Sequence, residues 1–139
     1  TGDYRLLLLG YPQPRIDPGA FVPAPGLDLE LVLIWASTAD LDLAFSAAET
    51  DRAALRTTRA NDFCQDVTAT PVERVTWDAG HAMPGRYSAT IHYRHNCTGQ
   101  PEPVHFILAI AQHGEVIDII GGTLAREGDT YTTPIAFGQ

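Results

Sequence analysis

From Leu27 the chain alternates. Leu27, Leu29, Leu31, Leu33 and Trp35 fall on one side of a period of two, and Asp28, Glu30, Val32 and Ile34 fall on the other. Such alternation marks a half-buried strand, and a second half apolar on both sides marks a strand lying centrally in its sheet. The pattern resumes over 40–45 with Leu41, Leu43 and Phe45 inward, which predicts a hairpin with the preceding strand. Ser46-Ala47-Ala48-Glu49 then reads as a capping box, and a short helical segment is predicted near 46–60. Strand period returns at 72–77. It returns again at 85–93, with Tyr87, Ala89, Ile91 and Tyr93 inward, and at 104–110, with Val104, Phe106, Leu108 and Ile110 inward. His113-Gly114 marks a tight turn, 116–120 runs back, Gly121-Gly122 suggests a bulge or bend, and 131–137 supplies a last strand. With a further short strand at 4–9, about eight strands separated by turn signals predict an all-β chain, an antiparallel β-sandwich of jelly-roll-like form.

The 139 residues fit one domain, 1–139, in which 1–26 is an N-terminal strand followed by a proline-rich arm. Residues 10–26 hold prolines 12, 14, 18, 23 and 25, which deny the backbone donors that a ladder needs. The formal net charge of -8 argues against nucleic acid and against an anionic membrane surface. No run is long and apolar enough to span a bilayer. No basic region precedes the short apolar run 6–9, so any export signal is expected to have been removed already. The chain has no lysine, which excludes Schiff-base chemistry and a P-loop. Its three serines, Ser37, Ser46 and Ser88, lie outside any Gly-x-Ser-x-Gly turn. Arginine as the sole strong base, with abundant Ala and Pro, suggests a high-GC bacterial genome.

Cys64 closes the phrase Asn61-Asp62-Phe63-Cys64, and Cys97 lies four residues beyond Tyr93. With the strands at 72–77 and 85–93 expected to pair antiparallel through the loop at 78–84, the two cysteines, in loops that flank those strands, are expected to meet at one end of the fold as a disulfide. A disulfide in turn implies an oxidising, extracytoplasmic compartment, periplasmic or secreted.

Leu31-Val32-Leu33-Ile34-Trp35 followed by Thr38-Ala39-Asp40-Leu41-Asp42-Leu43 resembles a phrase of bacterial YfaP-like domains. The later stretches Val72-Glu73-Arg74-Val75-Thr76-Trp77 and Pro84-Gly85-Arg86-Tyr87, then Tyr93, Cys97 and Gly121-Gly122-Thr123-Leu124, are similar to the rest of that pattern, over roughly 27–125. The resemblance implies an extracytoplasmic β-sandwich of largely uncharacterised role. The chain departs from the pattern where Ser46 to Asp51 replaces a Pro-x-Gly turn.

Few residues speak of chemistry. Asp40 and Asp42 share a face of one strand, and Asp62 lies near Cys64, so the three are candidate oxygen ligands for calcium. The alternative is that Asp40 and Asp42 cap backbone donors at a hairpin and face solvent, which the lack of an Asp-x-Asp-x-Asp-Gly loop favours. Trp77, at a strand end beside the His81 loop, is the best exposed aromatic, and Trp77 with His81 is the candidate ligand-binding pair. His92 and His95, three apart on a strand, point to opposite faces unless a bulge intervenes. Asn96-Cys97-Thr98 fits a glycosylation pattern, read as incidental. Together these residues predict a non-catalytic extracytoplasmic binding or accessory module that presents loops to a protein or glycan partner. The alternative is a structural or assembly domain using the proline-rich arm, and a metal-assisted hydrolase is the weakest reading. No cofactor is expected beyond calcium.

Overall fold

Eight strands form two four-stranded antiparallel sheets in a computed structural model that describes residues 23–47, 56–58, 62–65, 71–100 and 102–138. They are β1 (Leu27–Trp35), β2 (Ala39–Ala47), β3 (Arg56–Thr57), β4 (Val72–Asp78), β5 (Gly85–Asn96), β6 (Val104–Gln112), β7 (Glu115–Leu124) and β8 (Thr130–Phe137). One sheet runs β4-β1-β6-β7 and the other β3-β2-β5-β8. The described helix is a single 3-10 turn at Phe63–Gln65. The all-β sandwich expected from the period of two is therefore present. The expected strand at 4–9 and most of the proline-rich arm lie outside the described residues.

Alternation chooses the core. Leu29, Leu31, Leu33 and Trp35 of β1 face Leu41, Leu43 and Phe45 of β2 and Ile91 and Tyr93 of β5 across the sandwich, all 2% exposed or less. β1 lies between β4 and β6, as its doubly apolar second half predicts, and Val32 and Ile34 join Ile107, Ala109 and Ala111 in a second buried cluster on its other face. The same face buries Glu30, whose carboxylate takes the Arg74 guanidinium at 3.0 Å and the Ala24 N–H at 3.1 Å.

Three local expectations are corrected. β1 and β2 are not a hairpin: β1 is saturated by β4 and β6, so the chain crosses at 36–38 to the other sheet, and the Trp35 indole N–H donates to the Ala39 carbonyl across the crossing. Nor do β4 and β5 pair with each other; they belong to different sheets. The helix near 46–60 is absent where that segment is described. Ser46 and Ala47 continue β2 opposite Ser88 and Tyr87, and Arg56–Thr57 forms β3 against Phe45 and Ala44. Burying Phe45 in register with its sheet outweighs the local capping signal, because tertiary contacts override propensity. Residues 48–55 lie outside the described set.

The β6–β7 hairpin turns at His113-Gly114, as expected, with both residues at positive φ. The bulge lies at Ile117, not at Gly121-Gly122. Ala111 pairs with Val116 and Ile110 with Asp118, which leaves Ile117 extra and 51% exposed. Gly122 has a different reason: a Cβ there would come within 2.7 Å of the Phe106 ring.

Candidate functional site

One end of the sandwich gathers the chemistry. Among the described residues β3 pairs with Ala44 and Phe45 only, and the first half of β2 lies beside β4 at the seam between the sheets. There Asp40, Asp42 and Glu73 bring carboxylate oxygens within 4.8 Å of one another, and all three residues are buried. Period two puts Glu73 on the inward face of β4 with Val75 and Trp77. Asp40 and Asp42 sit on the outer face of β2, opposite Leu41 and Leu43, and are 2% and 4% exposed. They do not face solvent at a hairpin.

Asp42 is held by Arg94 of β5, whose guanidinium lies 3.0 Å from its carboxylate. Asp40 accepts the Phe63 N–H at 3.2 Å, which ties the 3-10 turn to β2. Burial pushes the Asp40 carboxyl above the usual carboxylate range. The Phe63 N–H opposes that rise, the negative charges of Asp42 and Asp62 add to it, and His95 works against it.

A second cluster adjoins the first. β5 carries an extra residue, Arg94, between Tyr93 (opposite Leu41) and His95 (opposite Asp40). This bulge puts His95 in register with Asp40, and its Nε2 lies 3.6 Å from the Asp62 carboxylate. Asp62, Cys64 and His95 offer ligand atoms within 4.8 Å of one another, all half-buried. Cys64 is bonded to Cys97, with Cα atoms 5.1 Å apart. The expected disulfide is present, although the two strands that bring its halves together lie in opposite sheets. They still run antiparallel, so the start of β4 and the end of β5 emerge together.

The loops at this end are tied to each other. Cys97 N–H donates to the Thr38 carbonyl at 2.7 Å, the Trp35 N–H to the Pro71 carbonyl at 3.2 Å, and the Ser37 hydroxyl to the Glu102 carboxylate at 2.9 Å. The Asn96 N–H donates to the Glu127 carboxylate at 2.9 Å. Asn96 itself is 4% exposed; its Oδ1 accepts the N–H and hydroxyl of Thr98, and its amide donates to the Tyr93 hydroxyl. It is thus a turn cap and not an accessible glycan acceptor.

The calcium candidates are therefore divided. Asp40 and Asp42 come together, but with Glu73; Asp62 goes to His95 and Cys64. Trp77 was expected to be exposed and is 6% exposed instead. Its ring packs on Phe45 at 4.5 Å, and the Arg56 guanidinium lies 4.4 Å from its centroid, so it offers no open stacking face. His81 is exposed in the β4–β5 connection, which the Asp28 carboxylate fixes by accepting the N–H groups of Gly80 and Ala82. No described helix is long and apolar enough to cross a membrane. The chain matches no family model, no curated protein and no solved structure.

Proposed function

We propose that this chain is a non-catalytic, extracytoplasmic binding module that presents its disulfide-bearing end to a protein or glycan partner. The observation behind this reading is the cross-tying of that end. Loops from both sheets are joined by Cys64–Cys97 and by bonds from Cys97, Ser37, Asn96 and Trp35 to neighbouring loops. Loops are where recognition residues concentrate, and loops held in place lose little entropy on binding. A bridging disulfide also fits an oxidising compartment. Asp62, Glu102 and Glu127 at this end favour a partner that presents cationic or hydroxyl groups.

Capture from a cell-envelope extract on the immobilised oxidised protein tests the reading. Capture of a partner is expected, lost with Asp62→Ala, Glu102→Ala or Glu127→Ala and kept with Glu115→Ala or Ile117→Ala at the opposite end. No capture, or equal loss from both ends, would refute it.

A further inference from the structure

We propose that the corner holding the disulfide is also a zinc site, closed while Cys64 and Cys97 are bonded to each other and opened when they are reduced, with Cys64, Cys97, His95 and Asp62 as ligands. Zinc takes thiolate, imidazole and carboxylate donors in tetrahedral array, with donor atoms about 3.3 to 3.8 Å apart for bond lengths of 2.0–2.3 Å. One donor pair already stands at that spacing, and a third donor lies within 4.8 Å of both. His95 Nε2 lies 3.6 Å from an Asp62 oxygen, and Asp62, Cys64 and His95 all offer atoms within 4.8 Å of one another. Cys97 brings the fourth donor, since its sulfur is bonded to that of Cys64. Rotation about the side-chain bonds of two reduced cysteines is enough to part the sulfurs to ligand distance.

The ligands do not depend on the bridge for their positions. The backbone at Cys64 is held by the Phe63 N–H on Asp40, the Cys64 N–H on the Asp62 carboxylate and the Gln65 N–H on the Asp62 carbonyl. The backbone at Cys97 is held by Thr38, and the turn that follows is capped by Asn96. His95 is fixed by its register against Asp40. Phe63 packs edge-on to the buried Trp35, which anchors the 3-10 turn in the core. A site that survives loss of the bridge is thus built into the hydrogen bonding. The Cys64 N–H, bonded to the Asp62 carboxylate, also supplies the outer contact that orients a metal-binding carboxylate. His95 and Asp62 are 41% and 35% exposed at their side chains, so both a reductant and a metal ion can reach the corner.

The chemistry balances with a dithiol as reductant. It gives two electrons and two protons to the Cys64–Cys97 bond and becomes a disulfide itself. Zinc then binds two thiolates and releases their two protons, so binding is proton-linked. Oxidised and zinc-bound states exclude each other because both consume the same sulfurs.

The test is titration of zinc into the full chain, oxidised and then reduced with a phosphine. Calorimetry runs in two buffers of different ionisation enthalpy, and cobalt serves as a spectroscopic probe. The expected result is one zinc per reduced chain, about two protons released, a sulfur-to-cobalt charge-transfer band, and binding at least tenfold weaker in both His95→Ala and Asp62→Ala. Both variants should form the disulfide normally, which shows that they fold. Equal zinc affinity in oxidised and reduced protein would overturn the proposal. So would wild-type affinity in both variants, or a reduced chain that stays unfolded with zinc present.

Discussion

Replacing both cysteines by serine tests whether the bridge acts on the unfolded chain or holds the native corner together. The bond closes a loop with a sequence separation of 33. In the chain-entropy model a loop of that size removes about 12.5 cal/mol/K from the unfolded ensemble, or about 3.7 kcal/mol at 25 °C. The native corner has independent ties, from Phe63, Cys64 and Gln65 to Asp40 and Asp62, and from Cys97 to Thr38. The loss in Cys64→Ser/Cys97→Ser is therefore expected to come from the unfolded state. A domain of 139 residues has an unfolding entropy of about 290 cal/mol/K at its midpoint, so the double variant should melt about 13 °C lower. Stabilities of about 5–15 kcal/mol leave a folded protein after that loss. The assay is thermal unfolding by circular dichroism, with amide exchange on the folded variant. Protection at Leu41 to Phe45 and at Ile91 to Tyr93 is expected to fall with the rest of the core by one global amount, about 500-fold for a loss of about 3.7 kcal/mol. A shift under about 3 °C, or loss of protection confined to this corner, would refute the unfolded-state argument.

Asp40→Asn keeps an acceptor for the Phe63 N–H and removes a buried charge. Because the folded carboxyl titrates above its unfolded range, its contribution to stability is full below the unfolded pKa and lost as pH rises through the folded one. The variant should thus melt higher than wild type at neutral pH and no higher in acid; a deficit independent of pH would contradict this. Gly122→Ala drives a methyl to within 2.7 Å of the Phe106 ring and should lose about 1–3 kcal/mol in denaturant unfolding; wild-type stability would show that Phe106 yields freely. If Asp40, Asp42 and Glu73 hold calcium, a concentration ten times the dissociation constant should stabilise the protein by about 1.4 kcal/mol and leave Glu73→Gln unmoved. No thermal shift in millimolar calcium would remove the metal from that cluster.

Strand identity was legible because one face of nearly every strand is buried, and burial on one face forces a period of two into the sequence. Partnership was not. Alternation says which side of β1 is inward but is silent on whether the next strand lies beside it or across the core. The three-residue crossing 36–38 is as short as a hairpin loop, so connection length did not separate the two cases. Turn residues misled in the same way. Gly121-Gly122 looked like a bulge or bend, yet the glycine is required by the ring of Phe106 on the neighbouring strand, a contact with no local signature.

The site was half legible, and the missing half follows from rules already in use. Glu73, Val75 and Trp77 share a parity on β4, so a strand whose inward row ends in Trp77 must carry a carboxylate inward at Glu73. A charge at an inward position needs partners, and that demand alone points to acidic or basic neighbours at the seam. His95 is different. Strict alternation sends it to the face opposite His92, and only the extra residue at Arg94 turns it toward Asp40 and Asp62. Arg94 is bonded to Asp42, the next outward residue along β2 from Asp40, so the ion pair and the bulge occupy the same step of the ladder. A bulge there does two things at once: it gives the buried Asp42 its cation and it aims an imidazole at the cysteines. Neither effect is visible in either strand alone, which is why the residues were readable singly and the corner they build was not.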